Sequence, residues 1–426
     1  MEIRRLASDP AVMRARALLR GTDAVTLDDQ LRIVRIPAPP FGEGRRAAWL
    51  AERFRETGLD EVGIDEAGNV LGRLPAAGPG GGRRSVPGAA SRAGAEVVVA
   101  AHLDTIFDAE AEVRPRRDGD RWIAPGITDN ARGVAVLLAL ARALVAARVG
   151  VARPVVFAGT VGEEGEGDLR GAKHLFRRGG GLRRAAAFIA LDGAGCDRVV
   201  HRALGARRFR FTVTGPGGHS WVDRERPNPI HALGRAVAAL ADLEPTGTAD
   251  ATVSVGRIRG GTRVNALPEE AWCEVDVRGD EAAALDALTE RVCGIVTRAC
   301  ERESARATAR ARRVDDTGGR SVRALAVAAR MIGDRPTGET PPDSELVRAA
   351  RSATRLVGGL AELATASTDA NVPIALGIPS IALGAGGRAG GIHSTAEWFR
   401  NERGVEGAER ALLVVLAAAG LARARG

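Results

Sequence analysis

Five short polar motifs along the chain carry the residue types that hold divalent cations. They are His102 and Asp104 in AHLDT, Asp129 in TDNARG, Glu163 and Glu164 in GEEG, Asp192 in ALDGAG and His393 in GIHSTAEW. Imidazole nitrogens and carboxylates without thiolates suit Zn²⁺, Mn²⁺ or Co²⁺ in a hydrolytic site. Taken singly, each has a plainer reading. Asp129 could cap the helix that follows it, Glu163 and Glu164 could belong to a solvated acidic turn with Glu166 and Asp168, Asp192 could be a turn residue before Gly193, and His102 a core histidine. Together they argue for cations, because adjacent carboxylates such as Glu163 and Glu164 are costly side by side unless positive charge neutralises them. Cys196, Cys273, Cys293 and Cys300 stand outside the cluster and show no CxxC spacing. A closed structural zinc site is normally rich in Cys, so a spare glutamate beside a set without thiols points to an open, catalytic one.

The elements that must position these residues read as α/β. EVVVAAH (96–102), PVVFAGTV (154–161) and AAFIALD (186–192) are apolar runs of the kind buried strands show, and Val134, Leu137, Leu138, Ala141, Leu144 and Val145 recur at helical spacing after Asp129. Ligands of open α/β sheets bind outside the carboxyl ends of strands, which is where the polar motifs fall. The stretch PAAGPGGGRRSVPGAASRAG (75–94) reads as a loop joining two strands. From 206 to 314 the pattern changes to βαββαβ, the ferredoxin-like order, ending on an expected strand at ARATARARR. The α/β pattern resumes near 325, with a helix from Ser344 and a strand at PSIALGA. The expected organisation is therefore a discontinuous domain, 1–205 and 315–426, interrupted by an inserted domain at 206–314.

Composition narrows the class. The chain has 426 residues, 61 basic against 53 acidic, no tyrosine, and a single lysine, Lys173. The absence of tyrosine excludes a tyrosine acid or base and a tyrosine-stacking nucleic-acid surface. The excess of 8 positive charges is scattered, with no block of five like charges, so a basic nucleic-acid-binding protein with a structural metal site stays the remote alternative. No run of 18 apolar residues and no apolar signal core occurs, which predicts a soluble cytoplasmic protein that engages neither membrane nor nucleic acid.

The ordered series AHLDT, TDNARG, GEEG, ALDGAG and GIHSTAEW, with the inserted βαββαβ unit, resembles the co-catalytic di-zinc exopeptidases and deacylases. That family includes glutamate carboxypeptidase, acetylornithine deacetylase, succinyl-diaminopimelate desuccinylase, aminoacylase and peptidase T. The resemblance implies a mixed-sheet zinc-exopeptidase catalytic domain with a ferredoxin-like lid that also dimerises. It implies two divalent ions, zinc first and Co or Mn possible, with His102 and Asp192 on one, Glu164 and His393 on the other, and Asp129 bridging. Asp104 would orient His102, and Glu163 would be the general base that moves a proton from water to the leaving amine.

By the same resemblance, His219 in GPGGHSW and Asn265 in GGTRVNALP would stabilise the tetrahedral oxyanion, often across a dimer, and Arg278 in VDVRG would hold a substrate carboxylate. Asp369 and Asn371 in STDANVP resemble a substrate-side loop, although turn chemistry explains them equally well. Aspartate at 192, where carbamoyl-amide hydrolases carry histidine and acetylornithine deacetylase glutamate, leans toward the peptidase branches. The implied activity is hydrolysis of an amide or peptide bond in a small peptide or N-acyl amino acid, with N-deacylation of a non-peptide amide as the alternative. His174, His201 and His231 fall outside the motifs and read as structural.

Overall fold

In the computed structural model, which describes residues 2–77, 95–108, 113–244, 250–314 and 323–422, the three apolar runs that precede candidate ligands are neighbouring parallel strands. Val97–His102 lies between Val155–Thr160 and Ala187–Leu191. Every residue of the three is buried, because both faces of the sheet are covered. One face places Val97, Val99 and Ala101 against Leu137 and Leu412; the other places Val98 and Ala100 with Phe176 and Phe188. His102 sits opposite Thr160 in the register, so these two strands end level and their following loops open on one edge.

The sheet extends beyond Val155–Thr160 through antiparallel Val70–Leu74 and Asp60–Ile64. On the other side Ser380–Leu383 runs parallel to Ala187–Leu191 and antiparallel to Arg198–Ala203. The helix Ala131–Ala146 is buried along almost its whole length, since it packs on the sheet and also meets Pro10–Gly21, Asp23–Ile33, Gly44–Thr57 and Gly404–Ala419. Its N-cap is Asn130, whose side chain accepts from the Gly133 amide, and not the neighbouring Asp129. A small antiparallel sheet of Arg388–Gly390, Trp398–Arg400, Arg121–Ile123 and Arg116–Asp118 adds a wing. The loop between its first two strands carries His393.

The chain divides into two compact units, Met1–Ala203 with Glu339–Gly426, and Leu204–Gly338. The second is an antiparallel sheet in the order Ala251–Gly260, Glu270–Gly279, Gly205–Thr214, Ala326–Arg335. Helices Pro229–Ala241 and Ala282–Val314 pack on the face that presents Phe211, Val213, Cys273, Val275 and Val277. The βαββαβ order is present, but two sequence expectations are corrected. ARATARARR (305–313) is not a strand; it continues the helix Ala282–Val314. Alanine and arginine are strong helix formers, and Ala307 and Ala311, four residues apart, are the buried positions of that stretch, a helical period mistaken for alternation. The closing strand is Ala326–Arg335, paired with Gly205–Thr214, so the inserted unit runs to Gly338 and not to 314.

Residues 78–94 of the Gly/Pro/Arg-rich stretch lie outside the described residues. All four cysteines are free, with Cys196, Cys273 and Cys300 buried and Cys293 half-buried. Among the described residues no helix is long and apolar enough to cross a membrane.

Candidate metal centre

His102 ends its strand, Asp192 directly follows Leu191, and Glu163 and Glu164 follow Thr160 by three and four residues, so the parallel strands deliver four candidates to one edge. Asp129 comes from the loop before the buried helix, and His393 from the wing. The His393 backbone is left-handed, φ 65°, held in the turn that follows Gly390 and Gly391.

The side chains converge. His102 Nε2 lies 3.0 Å from Asp129 Oδ1 and 3.8 Å from Asp192 Oδ1. His393 Nε2 lies 3.2 Å from Asp129 Oδ2 and 3.1 Å from Glu164 Oε1. The two oxygens of Asp129 therefore face two different groups, His102 with Asp192 and His393 with Glu164. Within each group the ligand atoms lie within 4.8 Å of one another, and a further set of His102, Glu163 and Glu164 meets the same limit. His102 Nε2 and Asp129 Oδ1 are buried yet complete no hydrogen bond, which suits atoms placed to meet a cation. The donor set, nitrogen and oxygen without sulfur, fits divalent zinc, cobalt or manganese.

Electrostatics agree. Burial opposes charge on His102, but close contacts with Asp104, Asp129 and Asp192 outweigh it and raise its pKa well above the ordinary value. Contacts with Asp129 and Glu164 push His393 up to about 10. Burial alone would raise Asp129, yet the two histidines hold its carboxyl far below the usual carboxylate range. The cradle thus attracts positive charge strongly, and a divalent cation held there would displace those protons.

Behind the ligands stands a supporting layer. His102 Nδ1 lies 3.1 Å from the Asp104 carbonyl oxygen and 3.7 Å from its carboxylate. The Asp104 carboxylate is aimed chiefly at the glutamate loop, where it accepts the amides of Glu163 (3.0 Å) and Glu164 (2.7 Å). Burial would raise its pKa, but His102 and those amides lower it. Asp104 therefore orients both the histidine and the glutamates.

Four supporting residues escaped sequence reasoning. Asn130 donates to the Leu191 carbonyl (2.8 Å) and accepts from Gly193 (3.3 Å), tying the Asp129 loop to the Asp192 loop. Gly133 permits that approach, because a Cβ there would lie 2.5 Å from the Leu191 oxygen. Thr160 donates to Asp369 Oδ2 at 2.5 Å. Glu397 accepts amides of the Asp129 loop. Its place in GIHSTAEW, four residues after His393, was the available signal.

Asp369 and Asn371, expected on a substrate-side loop, are both turned inward. Asp369 is 3% exposed and Asn371 fully buried. Asn371 accepts from the Thr368 amide, and Asp369 meets Thr160, because the start of the helix Asn371–Ala375 packs inward. Burial pushes the Asp369 carboxyl up to about 6 despite the Thr160 hydrogen bond. Both side chains support the interior.

His219, Asn265 and Arg278 belong to the other unit. His219 is exposed on a two-residue strand, Gly218–His219, paired with Ala266–Leu267, so His219 and Asn265 stand side by side on one arm. Arg278 lies on the sheet face turned away from the two helices, with its Nε 2.6 Å from Asp276. Of the remaining histidines, His201 is buried on the Thr340 carbonyl (2.9 Å), His174 lies 3.7 Å from Asp65, and His231 lies 3.8 Å from Glu303.

The profile of peptidase family M20/M25/M40 matches residues 98–417. The chain belongs to that family. It is a metallopeptidase or related hydrolase of the M20 type, with groups of His, Asp and Glu that could hold metal ions. Among relatives, the uncharacterized protein YqjE of Bacillus subtilis (strain 168) is 25% identical over 402 residues, covering 92% of this chain and 98% of that protein. An N-acetylcysteine deacetylase of the same organism is 30% identical over 88 residues, 20% of this chain and 23% of that protein. Two solved structures share the fold across 92% of this M20 chain and 98% of their own: a tripeptidase from Staphylococcus aureus (TM-score 0.70, 21% identity) and aminopeptidase PepT from Bacillus cereus (TM-score 0.68, 20% identity).

Proposed function

We propose that this chain hydrolyses an amide or peptide bond of a small peptide or N-acyl amino acid at a pair of divalent ions, zinc first, with Glu163 as general base. Asp129 carries the reading, because its two carboxylate oxygens face two separate His–carboxylate groups. His102 and Asp192 would hold one ion with Asp129, and Glu164 and His393 the other. When bound, two such ions supply Lewis acidity that polarises the scissile carbonyl and makes water acidic enough to attack. Glu163 is buried, stands outside the two groups that share Asp129, and takes the proton from water and returns it to the departing nitrogen.

The arm adds the oxyanion donors. His219 Nδ1 accepts from the amides of Trp221 (3.2 Å) and Val222 (3.4 Å), which leaves the ring proton on Nε2, free to be donated to a developing oxyanion. Asn265 offers its side-chain amide beside it. Arg278 grips a substrate carboxylate. The reading includes a cytoplasmic homodimer through the inserted unit, supported by the edge strand Ala251–Gly260 with its half-exposed Ile258.

A second, narrower reading, N-deacylation without any peptide cleavage, draws on the short stretch shared with an N-acetylcysteine deacetylase. A mass-spectrometric screen of dipeptides, tripeptides and N-acyl amino acids with the zinc-loaded protein separates the two. Release of an amino acid from peptides supports the first; release of a carboxylic acid from N-acyl amino acids with every peptide left intact supports the second. A loaded protein that cleaves neither class refutes both.

A further inference from the structure

We propose that Glu397 is a positioning residue that locks the Asp129 loop to the His393 loop, so that Asp129 can present one oxygen to each ligand group. The inference rests on the dinuclear reading of that site. Glu397 lies four residues after His393, on the loop that joins Arg388–Gly390 to Trp398–Arg400, and it is fully buried. Its Oε2 accepts the Gly126 amide at 2.9 Å, and its Oε1 accepts the amides of Thr128 at 2.7 Å and Asp129 at 3.1 Å. Its own carbonyl accepts from Ala124 at 3.0 Å, and its own amide donates to Ser394 at 3.1 Å. One residue therefore gathers the backbone on the approach to one ligand and the loop that bears another.

A buried carboxylate is costly unless hydrogen bonds satisfy it, and three backbone amides at these distances do so. The benefit falls on Asp129. Its amide is held directly, and the amides of Gly126 and Thr128 are fixed just before it, which sets where the carboxylate points. Asp104 is held by backbone amides in the same way, whereas two buried carboxylates away from the ligands meet arginines: Glu409 the side chains of Arg16 and Arg20, and Glu303 those of Arg235 and Arg310. Glutamine at 397 has the right size and the wrong chemistry, since its NH₂ would face an amide N–H where Glu397 supplies an oxygen.

The test compares the wild-type full chain with Glu397→Gln and, as a buried carboxylate remote from the ligands, Glu409→Gln. Each is dialysed against a series of zinc-buffered solutions, ions per chain are counted by elemental mass spectrometry, and the melting temperature of the metal-free protein is recorded. Glu397→Gln is expected to lose at least one ion at about 10–100-fold higher free zinc than wild type. Its metal-free melting temperature should fall no further than that of Glu409→Gln, which keeps wild-type zinc affinity. Wild-type affinity for both ions in Glu397→Gln, or an equal loss in Glu409→Gln, overturns the inference while leaving the dinuclear reading intact. A wild-type chain that retains no zinc overturns both. Should Glu397→Gln fail to fold, hydrogen exchange at Thr128 and Asp129 in metal-free wild type decides. Slow exchange supports the clamp, and exchange at the rate of an exposed amide refutes it.

Discussion

The metal cradle and the His219 arm achieve precision by opposite means. In the cradle, His102, Glu163 and Glu164 are buried, and the supporting groups Asp104, Asn130 and Glu397 are more deeply buried still and spend their hydrogen bonds on backbone amides and carbonyls of the ligand loops. On the arm, His219 and Asn265 are exposed, with Trp221 73% exposed beside them, and the His219 ring is oriented only by amides two and three residues away. Cations of fixed preferred geometry require donors whose positions are set before binding. Groups that act on the substrate alone can be set locally and left in water until the substrate arrives. The cradle should therefore fail through lost metal, the arm through lost rate or lost substrate affinity.

The largest effect should come from Asp129→Ala, which takes a ligand from both groups. Activity should fall further than the about 10²–10⁴-fold typical of removing an acid or base, and elemental analysis should find fewer than two ions per chain. Full activity with both ions retained would separate Asp129 from the cradle altogether. Next, Glu163→Gln should keep both ions and lose at least about 10²-fold in kcat, whereas Glu164→Gln should lose metal. Equal metal loss in the two variants would mean that the set of His102, Glu163 and Glu164 is itself a ligand group.

On the arm, His219→Ala and Asn265→Ala should each lower kcat by about 10²–10³ with metal content unchanged, because such donors act mainly in the transition state. Mixing inactive His219→Ala with inactive Glu163→Gln chains should restore part of the activity if His219 serves a partner's site. Confirmed hybrids without recovery would assign His219 to its own chain or to no chemical role. The smallest effect is expected of Arg278→Ala: a rise in KM of about tenfold, the scale of one charge-assisted hydrogen bond, with little change in kcat. An unchanged KM for substrates with a free carboxylate would leave Arg278 to its ion pair with Asp276.

The strands and the ligand types were legible because a buried parallel strand is a continuous apolar run, and a polar residue at its carboxyl end stands out against it. The arm was legible as two Gly-rich loops, though nothing local said that His219 would pair with Ala266 and so come beside Asn265. At 305–313 the sequence alone does not separate helix from strand, since alternating Arg and Ala satisfies a period of two as well as a period near four. For a related reason the sequence does not say which way Asp369 and Asn371 face. Asp and Asn in a turn look the same whether the turn faces solvent or a Thr160 hydroxyl 209 residues away.

By itself the sequence determined the donor inventory, the alternation of strands and helices, and the presence of an inserted unit, though not its closing strand, all of which follow from residue type and spacing over short distances. Tertiary structure alone decided that Asp129 faces two histidines at once, one of them 264 residues along the chain. It also decided that Asp104 clamps the glutamate loop, and that Glu397 reaches back 268–271 residues to hold the approach to Asp129. The reason is physical: ligand identity is a property of a side chain, whereas the direction in which a carboxylate points is set by whichever distant backbone amides the fold brings to it.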